Sequence, residues 1–147
     1  MASKFFVIER QPRWAIALRQ TIGEGEPRVH ELRVAEAVGD ELLGAPQSIL
    51  LWAADSENAL PLAARIVRLG RTFPHAPQMV AAERTVAHYE PLWREAGAIH
   101  VVTSPRKLEQ VVRIVNRHLA RVTEPARSLE AAVWAGLPWP PDEIPYF

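Results

Sequence analysis

Pro46-Gln47-Ser48-Ile49-Leu50-Leu51-Trp52 begins with a proline and runs into a stretch that stays apolar at every position from Ile49 to Ala54. A strand with one wet face alternates apolar and polar residues. One that is apolar at consecutive positions has to be covered on both faces, as in a parallel sheet flanked by helices. The runs Phe5 to Ile8, Met79 to Ala82 and Ile99 to Val102 have the same character. Arg28 to Val34 is interrupted by charge, which suits an edge strand.

Between these runs the apolar period changes to that of a helix. Trp14, Ala17, Leu18, Thr21 and Ile22 form a stripe ended by Gly23 and Gly25. Ala35, Val38 and Leu42 predict a short second helix closed by Gly44 and Pro46, and Ala59, Leu62, Ala63, Ile66, Val67 and Leu69 a third, stopped by Gly70 and Pro74. A fourth is expected over about Val86 to Ala96, with Pro91 kinking it if interior. Leu108, Val111, Val112, Val115, Leu119 and Val122 keep one face of a fifth apolar. Strand and helix thus alternate five times. Right-handed crossovers then predict a doubly wound, flavodoxin-like three-layer α/β sandwich of (βα)5 type, with parallel strand order 2-1-3-4-5.

That domain is expected to span residues 1–123. Residues 124–147 form a C-terminal extension of different composition, with five prolines and the aromatic residues Trp134, Trp139, Tyr146 and Phe147. A short helix from Ser128 to Ala135 with Ser128 as its cap, then an extended polyproline-like segment, is the expectation there.

Composition excludes several function classes. The 147 residues hold 17 basic and 17 acidic side chains, so there is no overall positive field to hold a nucleic-acid backbone. A local basic set, Arg113, Arg117, His118 and Arg121, reads as a solvated helix face. No cysteine is present, which removes disulfides, thiol catalysis and thiolate metal sites together. No apolar run approaches the roughly 18 residues that span a bilayer, and the N-terminus leads directly into a strand. A cytoplasmic protein that binds neither membrane nor nucleic acid is expected.

Five segments at these spacings resemble the response-regulator receiver family. The strand and acidic pair of that family resemble Lys4 to Pro12, with the acids at Glu9 and Arg10. The third strand resembles Pro46 to Trp52, with Trp52 at the position of the phosphoacceptor aspartate. The fourth resembles Pro77 to Ala82, with Ala82 at the hydroxylic position, and the fifth resembles Gly97-Ala98 to Ser104-Pro105, with Ser104 at the lysine. The resemblance implies a site in which acids hold Mg²⁺ and an aspartate accepts a phosphoryl group. Arg10 puts a positive charge at a metal position, and indole has no nucleophilic oxygen. An aromatic at the mouth of that site would fill the space of phosphate and metal, or else form the floor of a small-molecule pocket. Ser104-Pro105 resembles a bond that is cis in receivers, yet Ser104 could equally cap a helix starting at Pro105.

The expectation is therefore a degenerate pseudo-receiver: a non-catalytic, phosphorylation-independent signalling or scaffold module with no metal and no cofactor. Its partner would be another protein or a second copy. By resemblance, the first surface for self-association is the face of the fourth helix, fifth strand and fifth helix. The other is the aromatic extension through Trp134, Leu137, Trp139, Tyr146 and Phe147. Two alternatives stand beside it. One is a small flavodoxin-like enzyme or ligand-binding protein using Glu9, Arg10, Asp55 and Glu83 at strand ends, against a reading of these groups as a silent salt-bridged rim with Arg10 and Arg84. The other is a receiver phosphorylated at Asp55, whose ordinary reading is a cap ahead of the third helix.

Overall fold

The computed structural model describes residues 2–123. The proposed helix from Ser128 and the aromatic tail lie outside them. Strands β1 (Phe5–Ile8), β2 (Val29–Leu32), β3 (Ile49–Ala54), β4 (Gln78–Ala82) and β5 (His100–Val102) form one parallel sheet in the order β2-β1-β3-β4-β5. Helices α1 (Trp14–Ile22), α2 (Ala37–Gly44), α3 (Ala59–Thr72), α4 (Glu90–Ala96) and α5 (Leu108–Thr123) follow the strands in turn. This is the flavodoxin-like architecture expected from the alternation.

Strand alternation divides the core into two layers. Phe6, Ile8, Leu50, Trp52, Ala54, Val80 and Ala82 pack with Val38 and Leu42 of α2, Leu62 and Ile66 of α3, and Trp93 of α4. Phe5, Val7, Ile49, Leu51, Met79, Ala81 and Val102 pack with Trp14, Ala15 and Leu18 of α1 and Leu108, Val111 and Val115 of α5. Both faces of β1, β3 and β4 are thus covered, which is why their sequences do not alternate. β2 lies at one edge and is only partly buried, in keeping with its interrupted pattern.

Two helical expectations change. The single helix over Val86 to Ala96 is a 3₁₀ segment, Arg84–Tyr89, followed by α4. Pro91 falls in the first turn of α4, where its missing N–H has no intrahelical partner to lose, and so it starts a helix instead of kinking one. His118 does not belong to a solvated basic face: it is 9% exposed, and its Nε2 lies 2.6 Å from the carbonyl oxygen of Gln47.

Candidate functional site

The carboxyl ends of β1 and β3 open into a cleft of about 580 Å³ lined by Glu9, Arg10, Arg13, Arg33, Glu36, Trp52, Asp55, Glu57, Asn58, Arg65 and Glu83, among others. Doubly wound folds place their ligands at such strand ends. The structure brings together there the resemblance-derived Glu9, Arg10 and Trp52, with Asp55 and Glu83. It also fixes what each side chain is already doing.

Glu9 is 6% exposed and sits one residue beyond β1. Its Oε1 accepts from the Ala15 N–H at 2.9 Å and its Oε2 from the Trp14 N–H at 3.1 Å, the first two amides of α1. The residue at the ordinary capping position, Arg13, makes no side-chain cap. Glu9 therefore caps α1 from the strand side, satisfying two first-turn donors and placing negative charge at the positive end of the helix. Both oxygens are engaged in backbone contacts, which leaves Glu9 poorly placed to serve as a metal ligand or proton carrier.

The rim charges are paired, with partners other than those the sequence suggests. Arg10 reaches Glu57 at 2.6 Å and Arg13 reaches Glu83 at 2.7 Å, in place of the Glu9–Arg10 and Glu83–Arg84 adjacency. Arg65 lies 3.4 Å from Glu36. Arg10 and Arg13 are 72% and 70% exposed, so these pairs screen the cleft's charge more than they stabilise the fold.

Trp52 lies below the mouth of the cleft. Register places it beside Ile8 and Val80, two residues before the strand end where Ala54 faces Ala82. It is 4% exposed, and its indole N–H donates to Oε1 of Gln78 at 2.9 Å, while Gln78 Nε2 donates to the carbonyl of Ile66 in α3 at 2.9 Å. Gln78 is the first residue of β4, so the indole nitrogen turns toward the amino end of the sheet, away from the cleft. Trp52 is floor and core filling at once. Ala82, wholly buried, offers no hydroxyl at the end of β4.

Asp55 follows β3 directly. Its Oδ1 accepts from the amides of Glu57 at 2.9 Å and Asn58 at 3.0 Å. Asn58 in return accepts from the Asp55 amide at 2.8 Å and donates to the Ala53 carbonyl at 2.8 Å. This reciprocal turn fixes the entry to α3. Ser104 Oγ accepts from the Arg106 amide at 3.3 Å and caps the 3₁₀ turn Pro105–Lys107, and its bond to Pro105 is trans. Of the two readings of Ser104-Pro105, capping is the one observed.

Sequence reasoning did not find Arg13, Glu57, Asn58 or Gln78. A signal existed for Gln78, because an amide inside an apolar strand has to find partners when buried. Another existed for Glu9: a helix that opens after Arg13 lacks a capping side chain and needs one from elsewhere.

No family model matches this sequence, and no curated protein is similar to it. Solved structures do match the fold. A response regulator from Thermotoga maritima superposes with a TM-score of 0.63 at 14% identity, over 82% of this chain and 99% of its own. A CheY-like protein (tadZ) from Pseudomonas aeruginosa gives 0.62 at 16% identity, over 78% and 94%. A CheY-like receiver domain protein from Methanospirillum hungatei gives 0.60 at 11% identity, over 82% and 99%. The architecture is that of response-regulator receiver domains.

Proposed function

We propose that this chain is a receiver-fold signalling or scaffold module that works without phosphoryl transfer and without catalysis, by binding another protein or a second copy of itself. The observation that carries this reading is the engagement of Glu9. The carboxylate in the best position to attract a metal at the end of β1 is held by two α1 amides, and the neighbouring Arg10 is paired with Glu57. A Glu9 held in this way supports the fold more readily than it supports chemistry. Trp52 beneath it fills the interior and fixes one conformation.

The enzyme or ligand-binding alternative loses Glu9 and, to its ion pairs, Arg10 and Glu83. The alternative of phosphorylation at Asp55 keeps one favourable observation, since Asp55 lines the cleft directly after β3. Its engaged Oδ1 weighs against it.

For association, the candidate face is that of α4, β5 and α5, where Leu92 of α4 is 38% exposed and Ile99, the residue just before β5, is 51% exposed. Self-association through this face, helped by Trp134, Leu137, Trp139, Tyr146 and Phe147 of the extension, is the concrete form of the proposal. Light scattering of the full chain, of a chain ending at Thr123 and of Ile99→Glu tests it. A dimer lost on Ile99→Glu supports the face, and a dimer lost on truncation supports the extension. A monomer in all three forms at high concentration contradicts self-association and leaves a foreign partner.

A further inference from the structure

A second cavity, of about 600 Å³, lies on the opposite edge of the sheet from β5, lined by Lys4, Phe6, Arg19, Arg28, His30, Glu31 and Glu41, among others. Register pairs Phe5 with Val29 and Phe6 with His30, which sets Lys4 level with Arg28 one step before the two strands. Neighbouring strands lie about 4.8 Å apart, and like charges directly side by side destabilise a sheet. Alternation puts Lys4, Arg28 and His30 on one face with Phe6, whose ring centroid is 5.9 Å from that of His30. Among the described residues neither Lys4 nor Arg28 has an ion-pair partner.

The other charges around this cavity are accounted for. Arg19 of α1 and Arg33 both bind Glu31, at 2.7 and 3.0 Å. Among the described residues lining the cavity, Glu41 of α2 is the remaining acid, and its influence on His30 is smaller than that of Lys4 or Arg28. Burial, then Lys4 and Arg28, hold the imidazole below its ordinary range. Two unpaired cations side by side, a third group able to become cationic, and a concave space before them form an arrangement that a tetrahedral dianion would complete.

We propose that Lys4, Arg28 and His30 form a binding site for a small phosphate-type dianion, either free phosphate or the phosphate group of a small monoester. Arg28 and Lys4 supply charge-assisted hydrogen bonds, and His30 adds a third by taking up a proton as the anion binds. The site lies outside the strand-end cleft and does not depend on the function proposed for it.

The test is an amide-resolved NMR titration of the full chain with inorganic phosphate and, separately, with ribose 5-phosphate. Saturable shifts centred on Lys4, Arg28 and His30 are expected. Arg28→Gln, an exposed change that leaves the core intact, should weaken binding about tenfold, the loss of one charge-assisted bond, and Glu41→Gln should strengthen it. Equal affinity for the two probes identifies the free ion as sufficient ligand, whereas a tighter ester identifies an organic phosphate. Sulfate stays dianionic across the accessible range, so its binding should weaken as pH rises and His30 loses its proton, and His30→Gln should abolish that dependence. Shifts that never saturate, or binding unchanged by Arg28→Gln, would overturn the site. Sulfate binding that is independent of pH would remove His30 from it.

Discussion

Replacing Glu9 with glutamine separates a helix cap from a chemical carboxylate, because the two roles predict opposite signs. The Glu9 oxygens lie 2.9 and 3.1 Å from the amides of Ala15 and Trp14. Hydrogen bonds to a charged group contribute about 1.5–3 kcal/mol each. Glutamine keeps one acceptor, of ordinary strength, and turns an NH₂ toward the other amide. It also removes negative charge from the start of α1, an effect of about 0.5–1 kcal/mol. Uncharging a buried group offsets part of the loss, so Glu9→Gln should cost about 2 kcal/mol and Glu9→Ala about 3 kcal/mol. With a urea slope of about 2 kcal/mol per molar, the midpoint should fall by about 1 M for glutamine. Urea unfolding of the full chain followed by circular dichroism reads this directly. A carboxylate held among other acids for metal binding would behave in reverse, since neutralising it relieves repulsion. A Glu9→Gln midpoint at or above that of the parent protein, or a parent protein stabilised by Mg²⁺, would refute the capping argument.

Trp52→Phe should cost about 2 kcal/mol by leaving Gln78 Oε1 buried without its donor, and Trp52→Asp about 3 kcal/mol or more, both read from urea midpoints; neutral effects would place the indole in solvent. Arg10→Ala and Arg13→Ala should each stay within about 0.5 kcal/mol of the parent, because exposed pairs contribute little, and larger losses would show that the rim supports the fold. His30 and His100 are both held below their ordinary range, chiefly by burial, with Lys4 and Arg28 adding at His30 and Arg94 at His100. A histidine with a depressed folded pKa takes up protons more readily when unfolded. Its neutral form therefore contributes full stability above about pH 6.5, and that stability is lost as pH falls through this value toward the folded pKa. Melting temperature should thus fall on acidification across this window, and His30→Gln with His100→Gln should reduce the fall; an unchanged pH profile in the double variant would contradict it.

Sequence carried most of the architecture because a parallel sheet writes its burial into runs of consecutive apolar residues. Phe5 to Ile8 and Ile49 to Ala54 could be placed inside on that ground alone, and Gly23, with φ of 73°, marks the end of α1 where a side chain would be strained. Pro91 misled because the apolar period runs through Val86 and Trp93 without a break, although the backbone tightens to 3₁₀ before α4 begins. The site was less legible for a different reason. Whether Glu9 faces a cleft or caps a helix depends on how closely α1 starts behind β1, and the missing cap at Arg13 was the one sign of it in the sequence. Arg10 and Arg13 left no local sign, because their partners lie 47 and 70 residues away in sequence.

The most direct test of the account is the intact mass of the full chain after incubation with acetyl phosphate and Mg²⁺, with Asp55→Asn in parallel. A module that works without phosphoryl chemistry should gain no phosphoryl mass in either form. A stoichiometric gain that Asp55→Asn removes would contradict the account and make this chain an active receiver with Asp55 as its acceptor.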